Sequence, residues 1–129
     1  MAIFYWPIQV YYEDTDAGGV VYHSNYLKFF ERARTEMLRD WGYQQDALMI
    51  EQGIVFAVRS MSIDFLKPAR FNDSLTASAE IIQIKKVSLD FSQQLRKNDE
   101  VLCQAQVKIV CLDAQTFKPK PIPAFLAFN

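Results

Sequence analysis

Apolar residues recur along the chain with two different periods, and the change of period separates the predicted elements. From residue 24 to residue 41 they recur at helical spacing, whereas before and after this stretch they alternate with polar residues, as in strands. Ser24 is predicted to cap the helix and Gly42 to end it, which gives about 17 residues and about 26 Å of helix. One broad arc of this helix collects Tyr26, Leu27, Phe29, Phe30, Ala33, Met37, Leu38 and Trp41.

Five segments are predicted as strands, one before the helix and four after it. The first, FYWPIQVYYE, is aromatic and β-branched, with Pro7 near its beginning. The later four are IVFAVRSMSIDFL, SLTASAEIIQI, SLDFSQQL and VLCQAQVKIVCLD, and a short second helix is predicted in the loop before them. In the first of these four, one face is predicted to carry Val55, Ala57, Met61, Ile63 and Phe65. The order predicts an α+β fold in which a curved antiparallel sheet wraps around one long helix.

Length and charge narrow the class of protein. The 129 residues, half of them apolar, fit a single domain over residues 1–129. Lys and Arg total 14 against 15 acids, so no overall field favours nucleic acid or an anionic membrane. The sequence has no signal-peptide pattern and no apolar run long enough to span a membrane, which predicts a soluble, cytoplasmic protein.

The two cysteines, Cys103 and Cys111, lie eight residues apart in one alternating segment. Such spacing places both on the same face of a strand, too far apart to bond to each other. They are interpreted as reduced core residues.

The segment DTDAGGVVYHS, which precedes the helix, is the richest in candidate chemistry, and three interpretations are open. Asp14, Asp16 and His23 resemble a thin ligand set for a divalent metal, without any HxH, HxxxH or CxxC to support it. The same residues also suit an Asx-type turn followed by a helix start. The third interpretation is catalytic.

The catalytic interpretation rests on the physics of a helix N-terminus. Its unpaired N–H groups and partial positive charge can hold a developing oxyanion, and a neighbouring carboxylate stays ionised at neutral pH. Asp16, two residues before Gly18 and Gly19, is the better placed aspartate to attack a carbonyl or to take a proton from water. Thioesters suit this arrangement, because a thiolate leaves easily. The sequence shows no Ser-His-Asp or Cys-His constellation.

These residues also carry a family resemblance. YYEDTDAGGVVYHSNYLKFFERARTEML resembles the signature of hotdog-fold acyl-CoA thioesterases of the 4-hydroxybenzoyl-CoA thioesterase family, and especially of the branch associated with the Tol-Pal system. The pattern T-D-x-x-G-x-V-x-H-x-x-Y appears here as Thr15, Asp16, Gly19, Val21, His23 and Tyr26. FAVRSMSIDFLKPAR and VKIVCLD are similar to later parts of the same branch, so the resemblance covers nearly the whole chain.

The resemblance implies a hotdog fold, homodimers or homotetramers, and active sites at the dimer interface. It further implies that Asp16 is the nucleophile or general base and that the backbone N–H of His23 is the oxyanion donor. An acyl-CoA is the implied substrate, with acyl-carrier protein as a further partner, and no metal or separate cofactor is expected.

Glu31 is the reserve catalytic candidate, because some related hotdog thioesterases use a carboxylate on the helix. Its alternative role is an ion pair with Arg34 three residues later. Arg34 itself falls among the apolar residues of the helix, so it needs a partner or a shared interface.

Three basic residues are candidates for binding the phosphates of coenzyme A: Arg59, within the second strand, and Lys85 and Lys86, in the link KKV between two strands. Taken singly, each is better explained as a solvated surface charge, and only the family resemblance makes it a candidate for binding coenzyme A.

The sequence therefore predicts an acyl-CoA thioester hydrolase. One alternative is a hotdog hydratase or dehydratase in which the His23 side chain takes part in acid–base chemistry, although the D-x-N-P-x-H spacing of such enzymes is missing. The other is a non-catalytic adaptor that binds acyl-carrier protein or enzymes of lipid synthesis.

Overall fold

The computed structural model describes residues 2–126, and its seven main elements form two layers. They are β1 (Phe4–Gln9), α1 (His23–Asp40), α2 (Gln45–Gln52), β2 (Ile54–Phe65), β3 (Ser74–Ile84), β4 (Ser88–Lys97) and β5 (Glu100–Asp113). The five strands form one antiparallel sheet in the order β1-β3-β4-β5-β2. One long helix against a five-stranded antiparallel sheet is the predicted α+β architecture, which is thus confirmed.

Helix α1 supplies one side of the core, and most of its predicted apolar arc is buried. Phe29, Phe30, Ala33 and Met37 are fully buried, whereas Leu27 is 40% exposed and lies at the margin of the arc. Gly42 ends the helix as predicted: its φ is +91°, and the N–H of Tyr43 donates to the carbonyl of Leu38.

The predicted cap at Ser24 is wrong. The helix already begins at His23, so the capping position falls on Tyr22, whose side chain makes no capping hydrogen bond. The first turn of α1 therefore has no side-chain acceptor at its capping position, a point that bears on the site described below.

The first strand ends earlier than its aromatic pattern predicts. After Gln9 the chain leaves the sheet, and Tyr12–Asp14 form a single 3-10 turn. The carboxylate of Asp14 accepts the backbone N–H of Tyr11 at 2.9 Å, which satisfies a donor that a longer strand would have paired in the sheet.

A β-bulge in β2 corrects the predicted face of that strand. The pairing with β5 shifts between Val58 and Ser60, so that Arg59 is the extra residue. Before the bulge the residues opposite the inward-facing positions of β5 are Phe56 and Val58, and after it they are Met61, Ile63 and Phe65. Val55 and Ala57 therefore face outward, contrary to the prediction, because an extra residue reverses the alternation.

The inward faces of β3, β4 and β5 complete the core. Cys103 and Cys111 are both free and buried, as predicted. Small side chains at Ala77 and Ala79 leave room for α1 to pack closely on β3. Over residues 2–126, no helix has the length and apolarity needed to cross a membrane.

Candidate active site

Asp16 lies in a tight hairpin that leads into α1. The backbone N–H of Asp16 donates to the carbonyl of Val20 at 2.9 Å, and the N–H of Gly19 donates back to the carbonyl of Asp16 at 3.1 Å. Gly19 has a φ of +78°, a conformation that residues with a Cβ rarely adopt. The positive φ required in this hairpin thus explains why position 19 is a glycine.

The second glycine is explained by a close approach to the carboxylate. Oδ1 of Asp16 accepts the backbone N–H of Gly18 at 2.8 Å, which is an Asx-type turn. A Cβ on Gly18 would lie 3.2 Å from that oxygen. Asp16 itself is exposed, and no donor within residues 2–126 reaches its Oδ2. The turn thus orients the carboxylate and leaves one oxygen available.

Asp14 joins the hairpin to the helix start. Its side chain is only 7% exposed, and its carbonyl accepts the backbone N–H of Tyr22 at 3.0 Å and the side-chain amide of Asn25 at 2.9 Å. These bonds make Asp14 a structural residue. Among the described residues, no three His, Cys, Asp or Glu side chains come together as a metal site would require.

The start of α1 presents two backbone donors without a partner. The N–H groups of Val21 and Tyr22 donate to the carbonyls of Ala69 and Asp14, and that of Asn25 donates to Tyr22. Within the described part of the chain, the N–H groups of His23 and Ser24 have no acceptor. They carry the partial positive charge of an 18-residue helix into solvent, where a ligand oxygen can accept them.

An aromatic groove of about 280 Å³ adjoins this helix start. The centroid of the His23 ring lies 4.3 Å from the ring centroid of Tyr22 and 6.4 Å from that of Phe65. The hydroxyl of Tyr26 accepts the backbone N–H of Ala69 at 3.0 Å, and burial raises the pKa of that hydroxyl. The other lining residues are Val21, Leu66, Lys67 and Pro68. Tyr26 is therefore un-ionised and fixed in place at neutral pH.

Glu31 lies two turns further along α1 and lines a different cavity, which we call the Arg34 cavity. Its volume is about 110 Å³, and Arg34 also borders it. Its other lining residues are Thr35, Leu38, Gln45, Phe56, Val58, Leu89, Phe91 and Ile109. Within one protomer, Glu31 is thus not part of the groove at His23.

The ion pair considered between Glu31 and Arg34 does not form in the structure. Arg34 is 8% exposed, and one terminal nitrogen donates to Oε1 of Gln93 at 2.8 Å. Burial lowers the pKa of Arg34, and the charge of Glu31 opposes that shift. Arg34 thus has the partner that its sequence position demanded, but the partner is a neutral amide from β4.

Gln93 is the residue that sequence reasoning missed. It is 1% exposed, and its amide nitrogen donates to the carbonyls of Phe30 at 3.0 Å and Ser78 at 3.1 Å. Its only signal in the sequence was a polar residue at an inward position of SLDFSQQL.

The three basic candidates lie at two separate places. Lys85 and Lys86 are exposed in the hairpin between β3 and β4, and Arg59 is exposed at the bulge of β2. Val110 of β5 pairs with Ser88 of β4 on one side and with Ala57 of β2 on the other, so the hairpin and the bulge lie on opposite sides of β5, about two strand spacings apart across the sheet.

A long helix packed on a five-stranded antiparallel sheet is the architecture of the hotdog-fold class, and here the loop that enters the helix carries the Asp16 carboxylate. Comparisons with known proteins agree with this class. The model of the thioesterase-like superfamily matches residues 10–128. The chain therefore belongs to the thioesterase-like superfamily.

Two acyl-CoA thioesterases and one solved structure are similar to this chain over most of its length. The acyl-CoA thioester hydrolase YbgC of Escherichia coli O6:H1 is 47% identical over 122 residues, which cover 94% of this chain and 90% of that protein. The acyl-CoA thioesterase YbgC of Haemophilus influenzae is 45% identical, with 93% and 88% covered. A probable thioesterase from Bartonella henselae superposes with a TM-score of 0.91 at 35% identity, covering 95% of this chain and all of that one.

Proposed function

We propose that this enzyme hydrolyses the thioester of an acyl-CoA with the carboxylate of Asp16 and the free backbone N–H groups at the start of α1. The observation that carries the proposal is an oriented, exposed carboxylate in the hairpin that leads directly into the unpaired N–H groups of His23 and Ser24. Acyl-CoA thioester hydrolysis is also the activity named for the E. coli and H. influenzae relatives.

In the proposed reaction, the thioester carbonyl oxygen accepts the His23 N–H, which stabilises the oxyanion as negative charge develops. The Asp16 carboxylate takes a proton from water, and the resulting hydroxide attacks the carbonyl carbon. The C–S bond then breaks, and the CoA thiolate takes up the proton. Direct attack by Asp16 would instead form a mixed anhydride that water hydrolyses, and the same carboxylate serves both routes.

The helix-terminal donor belongs to the backbone, so the imidazole of His23 is not the group on which the reaction depends. A hydrolase with these parts needs no metal and no separate cofactor. This part of the proposal distinguishes it from a hydratase, in which the imidazole itself would transfer a proton.

A homodimer formed through β2 is part of the proposal. Strand β2 is 12 residues long and lies at an edge of the sheet, whereas the other edge strand, β1, contains Pro7 and has only six residues. Apolar side chains are exposed along β2 and the end that follows it, with Val58 at 48%, Phe65 at 49% and Leu66 at 53%. Two copies paired antiparallel through β2 would cover both the free strand edge and these side chains.

Such a dimer would make the active site composite. A two-fold axis near the bulge of β2 places the Phe56 end of one strand beside the Phe65 end of the partner's strand. The Arg34 cavity, at the Phe56 end, would then adjoin the groove at His23 of the partner subunit. Glu31 would also approach that groove, which keeps it the reserve catalytic carboxylate.

Val58→Lys is expected to convert the dimer to monomers, because it places a charge where the two β2 strands would meet. Ile82→Lys is the matched control. Ile82 is 52% exposed, but it lies on β3, which is not an edge strand of the sheet. Sedimentation velocity at micromolar concentration measures the mass of each variant. A dimer that persists in Val58→Lys contradicts pairing through β2.

The phosphates of CoA are proposed to bind Lys85, Lys86 and Arg59. The double variant Lys85→Ala/Lys86→Ala is expected to raise KM for acyl-CoA about 3- to 10-fold with little change in kcat, because phosphate contacts are the same in the ground and transition states. Lys28→Ala, an exposed lysine of α1, is the control, and Arg59→Ala is measured separately. An unchanged KM in the double variant removes the two lysines from the site.

Cytoplasmic location, association with the Tol-Pal system, a tetramer built from two dimers, and acyl-carrier protein as a partner are further parts of the proposal. The association with the Tol-Pal system and the tetramer rest on the resemblance of the DTDAGGVVYH segment to its branch of the family. Co-purification with acyl-carrier protein from cytosolic extract tests the partner directly.

The proposed activity is tested with a panel of acyl-CoA thioesters of varied length and end group, by following the release of free thiol with a chromogenic disulfide. The enzyme's own thiols interfere little, since both are buried and burial raises the pKa of Cys103 to about 12. Absence of thiol release from every member of the panel would refute the proposal.

A further inference from the structure

The Arg34 cavity holds a buried arginine that forms no ion pair in the described chain, although Glu31, which lines the same cavity, opposes the lowering of its pKa. Arg34 is 8% exposed as a whole residue, and the one hydrogen-bonded partner of its guanidinium among residues 2–126 is the neutral amide of Gln93. The carboxylate of Glu31 is exposed and forms no ion pair with it within 4.0 Å in the described chain. A buried cation in apolar surroundings gains most from a direct, desolvated anion.

The guanidinium is also held in a fixed orientation. Both amide hydrogens of Gln93 are used by the carbonyls of Phe30 and Ser78, so its oxygen must face Arg34. Arg34 borders the cavity, and no buried side-chain nitrogen or oxygen among the described residues lacks a hydrogen bond. The N–H groups of Arg34 that do not bond to Gln93 are therefore accessible at the cavity and are not enclosed by protein atoms.

The remaining walls set the size and chemistry of an occupant. They are apolar on the sheet side, where Leu89, Phe91 and Ile109 are all nearly fully buried. The volume of about 110 Å³ is somewhat smaller than the roughly 150 Å³ of an apolar cavity that holds benzene. An occupant is thus a short aliphatic group that ends in acceptor oxygens.

The position of the cavity agrees with an acyl group bound across the dimer. Arg34 follows His23 by 11 residues, about 16 Å along the helix at 1.5 Å per residue, which is too far for a short acyl group within one protomer. In the β2-paired dimer the cavity faces the helix start of the partner subunit instead.

We propose that the Arg34 cavity selects the acyl group, binding the terminal carboxylate of a short dicarboxylic acyl-CoA through the guanidinium of Arg34. This inference rests on the proposed function and its dimer, and it adds the class of substrate. Arg34 acts here as a specificity-determining residue, while Asp16 and the His23 N–H of the other protomer act on the thioester.

Glutaryl-CoA and valeryl-CoA test the proposal, because they differ only in a terminal carboxylate against a methyl group. Wild-type enzyme is expected to prefer glutaryl-CoA by about 10- to 100-fold in kcat/KM, and Arg34→Met to lose that preference. An equal or reversed preference in the wild type overturns the proposal, as does a preference that survives in Arg34→Met. So does a stronger preference for 5-hydroxyvaleryl-CoA, which would make a hydroxyl the recognised group.

A second pair of variants leaves Arg34 in place, in case Arg34→Met does not fold. Thr35→Asp adds a carboxylate at the rim of the same cavity, and it is expected to reduce the preference for glutaryl-CoA at least about 5-fold by competing for the guanidinium. Thr35→Asn, nearly the same shape without charge, is expected to retain the preference. Equal behaviour of the two variants overturns the proposal.

Binding separates this inference from the proposed reaction. Isothermal titration of the wild type with non-hydrolysable glutaryl and valeryl analogues, in which a methylene replaces the thioester sulfur, reports selection without catalysis. Tighter binding of the glutaryl analogue that Arg34→Met abolishes supports the carboxylate site even where no acyl-CoA is hydrolysed. Hydrolysis of acyl-CoA with equal binding of both analogues supports the reaction and overturns the site.

Discussion

Asp16→Asn is expected to lower kcat for acyl-CoA hydrolysis by about 10²- to 10⁴-fold, because an amide neither accepts a proton from water nor attacks a thioester. The fold should remain intact. Asp16 is exposed, and the oxygen of Asn can accept the Gly18 N–H in the same way as the carboxylate does. Release of free thiol and the thermal unfolding midpoint, measured on the same preparation, separate loss of chemistry from loss of structure.

Glu13→Gln is the matched control for this variant. Glu13 is an exposed acid three residues before Asp16, so the substitution removes the same charge from the same segment. Its activity should stay within about twofold of the wild type, since long-range charge effects at an exposed position are screened. Equal rates for Asp16→Asn and the wild type would assign the reaction to another carboxylate, with Glu31 the next to test.

Gln93→Leu is expected to lower the free energy of unfolding by about 2 to 4 kcal/mol, because it removes the hydrogen-bond acceptor of the buried Arg34 guanidinium. The side chains are similar in volume, so a cavity contributes little to the change. The carbonyl of Ser78 also loses the donor that Gln93 supplies. Urea denaturation at a fixed protein concentration measures the effect, since association would otherwise shift the transition.

Two further variants make this result specific to the buried pair. Gln106→Leu removes an exposed amide and should change the free energy of unfolding by no more than about 0.5 kcal/mol. The double variant Arg34→Met/Gln93→Leu should be more stable than Gln93→Leu alone, because both members of the polar pair are then apolar. A double variant no more stable than Gln93→Leu would show that Arg34 is not the source of the cost.

A buried arginine whose partner is a neutral amide costs free energy, because its charge is desolvated without an ion pair. An apolar pair of similar volume is often as stable or more so. The positive charge is therefore better explained by what it binds than by packing. The double variant thus measures what Arg34 costs in stability, and Arg34→Met measures what it contributes to substrate preference.

The sequence by itself determined the elements and their order. A period near 3.6 over residues 24–41 and alternation elsewhere depend on neighbours within four residues, so they can be read from the sequence. The same local logic identified Gly42 as the helix end and the glycine pair after Asp16 as a bend, since a positive φ or a close approach restricts a position to glycine.

Only the tertiary structure decided the features that join distant parts of the chain. Arg34 and Gln93 are 59 residues apart in sequence, and no local pattern pairs them. The bulge at Arg59 reversed the predicted face of Val55 and Ala57, because one extra residue is invisible to a period of two until the neighbouring strand fixes the register. Burial and pairing are properties of the packed molecule, and only the structure shows that Arg34 bonds to Gln93 and lines a cavity.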